Sequence, residues 1–222
     1  MRGTGMDHAE AALPSASPPS SSFSSFASHF SPGHHFYVAV DRLQFKMETL
    51  LDLLGVAGRC QSLPIVICCS SRDELDAVCA AVSNLSFISL TPLYSDLADN
   101  ERALILEKFR HSSAGWNQNS GLFPGDGLES SSETKKSCMI VVTDACLPLV
   151  GAGEAPLSAR VVINYELPTK KEVYLRRMST CLAADGIVIN MVVGGEVVTL
   201  RGLEESSGLI VAEMPINISE IL

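Results

Sequence analysis

Nothing in this 222-residue sequence approaches the roughly 18–20 consecutive apolar residues of a membrane span, so it reads as a soluble chain with no membrane partner. None of its seven cysteines is in Cys-x-x-Cys spacing, and no other ligand spacing points to zinc. The odd count, with Cys68 and Cys69 inside an apolar run, fits reduced cysteines acting as small hydrophobes in an intracellular chain. Positive charge is scarce. The formal net charge is −9, and residues 36–222 hold 15 Lys and Arg against 23 Asp and Glu. That excludes a strongly basic nucleic-acid binder and leaves only local patches. Of five histidines, His8, His29, His34 and His35 fall in the polar opening stretch and His111 begins an expected loop. With none placed in a core-forming segment, histidine acid/base or triad chemistry is not expected. The pattern G-x-x-x-x-G-K-[S/T] is also absent, so no loop of backbone N–H groups is present to cradle phosphates.

What is present is a core. Apolar residues make up 46% of the chain, and the length suits one domain plus a tail. Residues 1–35 are rich in Ser, Pro, Ala and Gly, with nine serines between Ser15 and Ser31. The stretch holds too few large apolar side chains to order itself and is read as a disordered tail. From Phe36 onward, short apolar runs alternate with amphipathic stretches. Strands are expected at Phe36–Val40, Pro64–Cys69, Phe87–Leu90, Met139–Thr143, Arg160–Asn164 and Gly186–Val193. Helices are expected through Leu43–Leu54, after Ser70-Ser71, and at Ala98–Phe109, Lys171–Met178 and Glu196–Ser206. Ser70 and Ser71 sit where an N-cap belongs, with Asp73 and Glu74 in the first turn. Doubly buried strands alternating with helices predict an α/β domain over 36–222, an open, mostly parallel sheet with helices on both faces. Polar, Gly/Ser-rich residues 111–137 interrupt the pattern and are read as a flexible surface insertion, with Trp116 and Phe123 as isolated aromatics.

In an open parallel sheet, sites gather at the carboxyl ends of the strands. Those ends here are Ser70–Arg72, Thr91–Leu97, Thr143–Glu154 and Tyr165–Pro168. In order along the chain, FYVAVDRLQFKMETLLDLL (36–54), VICCSSRDELDAV (66–78), LYSDLADNERALILEKFR (93–110), IVVTDA (140–145), VVINYELPTKKEVYLRRM (161–178) and AEMPINISEIL (212–222) resemble the second, C-terminal RecA-like domain of DEAD-box RNA helicases, the translation-initiation-factor type in particular. That resemblance implies a P-loop NTPase-type helicase C-terminal fold, in a chain that holds nothing like the first RecA-like domain.

The resemblance also implies roles for individual positions. Ser71 and Arg72 fall where the family's loop after the first core strand touches RNA phosphates. Arg102 falls on the arginine of the Q-x-x-R element, and Tyr94-Ser95-Asp96 replaces the usual His-Gly-Asp. Thr143-Asp144 matches the start of T-D-x-x-A-R-G-x-D, whose remainder is missing, with Glu154 standing for the final acid. Against H-R-I-G-R-x-G-R, Arg177 keeps the first arginine, whereas Thr180 and Ala183 replace the two that would reach ATP phosphates. An arginine finger is worth about 10³–10⁵ in rate, and neither Thr nor Ala supplies its charge. Asp73-Glu74-Leu75-Asp76 imitates a DExD box but follows Ser70-Ser71-Arg72 on a helix, where capping explains its acids better than metal binding. The expectation is therefore a helicase-like module that is not an enzyme, with no catalytic or metal-binding residues and no cofactor. Candidate RNA contacts are Ser71, Arg72, Arg102 and Thr143. Expected partners are single-stranded RNA, held weakly, or a helical-repeat scaffold protein or another helicase domain. The alternative is half of an ATP-dependent RNA helicase completed by a first RecA-like domain from another chain. A bland reading of the arginines pairs Arg72 and Arg102 with neighbouring acids such as Asp73 and Glu101. A cytoplasmic or nuclear location is expected, and organelle import by the Ser-rich start stays open.

Overall fold

The computed structural model describes residues 35–60, 62–119 and 136–222. The elements follow as β1 (His35–Val40), α1 (Lys46–Ala57), β2 (Pro64–Cys69), α2 (Arg72–Val82), β3 (Ile88–Leu93) and α3 (Asp99–Asn119). After these come β4 (Ser137–Thr143), β5 (Ala159–Asn164), α4 (Lys171–Cys181), β6 (Leu182–Val193), α5 (Val197–Ser207) and β7 (Ala212–Glu213). Among the described residues, seven strands form one sheet in the order β3-β4-β2-β5-β6-β1-β7. Every pairing in it is parallel.

Strand alternation divides the core into two layers. On β2, Ile65, Ile67 and Cys69 face one layer, which includes Leu50 and Leu54 of α1 and Leu75 and Val78 of α2. Val66 and Cys68 face the other layer, which includes Leu106 and Phe109 of α3, Met178 of α4 and Leu200 and Leu203 of α5. All six β2 residues are buried, which is why PIVICC reads as an unbroken apolar run rather than an alternating one. At the start of β6 the register with β5 jumps, from Ala159 opposite Leu182 to Val161 opposite Ile187. Gly186 lies in this irregularity, and a Cβ there would stand 2.9 Å from the Ala159 carbonyl oxygen and 2.7 Å from Leu182 Cδ1, so only glycine fits without a shift.

Three expectations require correction. His35 belongs to β1 rather than to the tail, is 1% exposed, and hydrogen-bonds Tyr174 through Nδ1. One histidine is therefore a core residue; residues 1–34 of the expected tail lie outside the described residues. Residues 111–119 continue α3, and Ser137 is buried in β4, so the helix takes the first third of the expected insertion. Ser113 is buried and returns its hydroxyl to the Phe109 carbonyl, and Trp116 packs against the core, so neither behaves as loop. Phe123 and residues 120–135 lie outside the described residues. Among the described residues, no helix is long and apolar enough to cross a membrane.

Candidate functional site

The carboxyl ends of β2, β3, β4 and β5 bring together Ser70–Arg72, Tyr94–Asp96, Thr143–Glu154 and Tyr165–Leu167, and α4 adds Arg176 and Arg177. Each strand-end segment leaves its strand at the same edge because the strands are parallel. This geometry collects most of the sequence-predicted residues on one face.

Ser71 caps α2, its hydroxyl accepting the Glu74 N–H at 3.2 Å. That bond commits the hydroxyl locally and places Asp73 and Glu74 in the first helical turn, near the positive end of the dipole. The next residue, Arg72, donates to Asp96 at 3.0 Å and lies 4.8 Å over the Tyr94 ring. The Arg72 hydrogen bond holds the Asp96 carboxyl below its usual range and pushes the guanidinium pKa up. Tyr94 in turn donates to Asp76 at 2.7 Å, a bond that raises its phenol to about 12.

Arg102, near the start of α3, donates to Glu154 at 3.0 Å. The same Glu154 oxygen accepts the Leu149 N–H at 2.7 Å, which folds the segment after β4 back over the arginine. Arg102 Nη1 is shielded from solvent and has no hydrogen-bond partner among the described residues. Both arginines are therefore paired, but with Asp96 and Glu154 rather than with Asp73 and Glu101. Thr143, at the end of β4, shares a 3.2 Å contact with the Cys146 thiol.

Arg177 is fully buried. It donates to both Asp144 oxygens, at 2.7 and 2.8 Å, to Asn164 Oδ1 at 3.0 Å and to the Glu166 carbonyl at 2.8 Å. Burial is the largest influence and opposes its charge, yet the Asp144 hydrogen bonds and the negative charge around it together hold its pKa above the ordinary value. The polar chain continues inward. Asn164 donates to Asn190 at 2.8 Å, and Asn190 donates to the Phe36 carbonyl at 3.0 Å and to the Tyr174 hydroxyl oxygen at 3.2 Å. Arg176 also reaches Asp144, through the backbone carbonyl.

The other two motif positions offer no charge to a ligand. Thr180 is buried and returns its hydroxyl to the Arg176 carbonyl at 2.7 Å, as Thr does inside helices. Ala183 lies in the irregular start of β6, away from the Arg177 cluster along the chain. The described residues hold no group of three or more His, Cys, Asp or Glu placed to bind a metal.

The sequence reading missed Asn164, Asn190, Tyr174 and His35 as one network. A signal was available: each asparagine stands in or at the end of an apolar run, VVIN at 161–164 and IVINMVV at 187–193, and a buried amide requires partners.

No family model matches the chain. Curated relatives include eukaryotic initiation factor 4A of Cryptosporidium parvum, 27% identical over 189 residues, covering 84% of this chain and 39% of that protein. Another is the ATP-dependent RNA helicase eIF4A of Candida glabrata, 29% identical over 188 residues, covering 84% of this chain and 40% of that protein. The chain thus spans about two fifths of the length of these relatives. Among solved structures, the C-terminal domain of the DEAD-box protein Dbp5 superposes with a TM-score of 0.56 at 16% identity, covering 84% of this chain and 92% of that one. The Escherichia coli DEAD-box protein SrmB, in its complex with the regulator of ribonuclease activity A, superposes with a TM-score of 0.58 at 17% identity, covering 85% of this chain and 92% of that one. With the relatives aligned along nearly all of the described domain and the seven-stranded parallel sheet shared with the solved domains, the chain is a homologue of the DEAD-box RNA helicases of the initiation-factor type, built on the fold of their C-terminal RecA-like domain.

Proposed function

We propose that this chain is a catalytically silent helicase-like module that docks a protein scaffold through its strand-end face and contacts RNA only weakly. The observation that carries the reading is the internal neutralisation of that face. Arg72 is taken by Asp96 and Arg102 by Glu154, so both arginines among the candidate RNA contacts already hold a carboxylate, and the buried Arg177 beside them is taken by Asp144. An incoming phosphate would have to displace these groups against a net charge of −9. Beside Glu154, Leu149 is 61% exposed and Val150 45% exposed, which suits a protein surface better than an RNA backbone.

Two structural relatives support protein docking as a mode open to this fold, SrmB bound to RraA and the Dbp5 C-terminal domain bound to Gle1. Another, Dbp5 bound to RNA and ADP BeF3, represents the RNA-directed alternative. Loss of the phosphate-reaching arginines at Thr180 and Ala183 supports silence toward ATP.

A titration of single-stranded RNA at two salt concentrations tests the reading, with wild type beside an Arg72→Ala/Arg102→Ala variant and with ATP calorimetry on the same samples. Wild type should bind weakly, with a log–log salt slope no steeper than about −1.4 for two phosphates neutralised. The double variant should bind less, and ATP should give no one-site isotherm. Affinity in a partner pull-down should fall in Leu149→Glu and survive in Arg72→Ala. Micromolar ATP binding, or a steep salt slope lost with the arginines, would replace this reading with that of a half-helicase.

A further inference from the structure

The second cationic feature of the domain lies at the other end of the sheet. On α3, Leu106, Phe109 and Ser113 form the buried stripe. The stripe beside it is Lys108, His111, Ser112 and Gly115, at spacings i, i+3, i+4 and i+7, so all four share one helical face. That face lines a groove of about 470 Å³ together with Ser62, Ser89 and Lys136. Ser89 is the second residue of β3 and pairs in register with Cys138, the second residue of β4, which lines the groove floor beside it. Ser62 precedes β2 and Lys136 precedes β4, so the groove sits at the amino ends of the strands, opposite the arginine face.

Its electrostatics are the reverse of those at the strand-end face. Among the described residues, no carboxylate lines the groove. The ion pairs among the described residues all belong to arginines, and none engages Lys108, His111 or Lys136. Burial pushes the Cys138 thiol up, so the floor adds no negative charge. In a chain with nine excess acids, two lysines and an imidazole converge on one concavity whose described lining holds no counter-charge, and three serines stand beside them. Ammonium and hydroxyl donors suit a phosphate monoester, which carries close to two charges and three strong acceptor oxygens. The volume falls within the usual range for small-molecule sites and exceeds what one phosphate fills, which leaves room for an organic part. A Cβ at Gly115 would meet nothing within 4 Å, which leaves the helix wall open to that part.

We propose that this groove binds a small phosphorylated molecule, its phosphate held by Lys108 and Lys136 and by the hydroxyls of Ser62 and Ser89, while Ser112 returns its hydroxyl to the Lys108 carbonyl at 3.1 Å. The site is separate from the strand-end face and does not depend on its reading.

The test uses the full chain and inorganic pyrophosphate as the probe, by calorimetry at low salt. Wild type should show one site, Lys108→Met/Lys136→Met should bind about tenfold more weakly or worse, and Arg72→Ala should bind like wild type. Both lysines are exposed, and thermal melts check that the double variant folds. A readout that needs no variant is alkylation of Cys138, followed by peptide mass spectrometry, which saturating pyrophosphate should slow. Absence of binding at millimolar pyrophosphate, equal binding by the lysine variant, or loss of binding in Arg72→Ala would overturn the proposal. So would displacement of the probe by single-stranded RNA that lacks terminal phosphates, since that would make the groove an RNA-backbone site.

Discussion

At the scale of single residues, the domain uses its arginines in two physically different ways. Arg177 is a structural cation. It is wholly enclosed and joins α4 to the ends of β4 and β5 through Asp144, Asn164 and the Glu166 carbonyl. Removing one partner of a buried ion pair leaves the other charge without compensation, typically at a cost of 3–5 kcal/mol. Arg177→Ala is therefore expected to lose about 3–5 kcal/mol of unfolding free energy in urea titrations. Arg72 and Asp96 are more than half exposed, so Arg72→Ala should leave the urea midpoint close to that of wild type in the same titration. A similar loss in both variants would contradict the division between a structural and a surface arginine. These roles were only partly legible in the sequence. The resemblance marked Arg177 as the surviving arginine of its motif, but enclosure by Asn164 and Asp144 arises from strands and a helix far apart in the chain.

At the scale of elements, local chemistry explains where α2 begins but not where α3 ends. Ser71 was recognisable as a cap because a hydroxyl precedes Arg72-Asp73-Glu74, and it accepts the Glu74 N–H as that pattern requires. Ser71→Ala should cost about 1 kcal/mol in thermal or urea unfolding, with the first turn of α2 losing amide-exchange protection before the rest of the helix. An unchanged exchange pattern would show that the turn is held by packing of Leu75 rather than by the cap. The end of α3 was not recognisable. His111–Asn119 is polar enough to read as loop, although Leu106, Phe109, Ser113 and Trp116 continue one helical stripe. Burial of a serine within that stripe masked the period. The two-residue β7 was also missed, because Ala212 and Glu213 are exposed and carry no apolar alternation; pairing with β1 alone makes them a strand.

At the scale of the whole molecule, alkaline conditions probe the packed state. Burial pushes the Tyr165 phenol up to about 12, and the bond to Asp76 does the same for Tyr94. Burial raises the enclosed Tyr174 phenol as well. A free tyrosine ionises near pH 10, so between about pH 10 and 12 the native state retains protons that the unfolded state releases. Stability from these groups is fully present below about pH 10 and declines as pH rises through 12. Melting temperatures followed across that window should fall, and tyrosinate absorbance should appear together with unfolding. Full tyrosinate absorbance in a still-folded protein would refute this.

The sequence by itself determined the α/β class, the parallel sheet and the positions of most strands, because doubly buried strands leave continuous apolar runs that amphipathic helices separate. It also determined the absence of arginine charge at Thr180 and Ala183. The tertiary structure alone decided which acid meets which arginine, that His35 and Ser113 are interior, and that Lys108, His111 and Lys136 share one groove. Periodicity is a property of neighbouring residues. Ion pairs and grooves depend on how strands distant in sequence are ordered across the sheet, and local pattern does not encode that order.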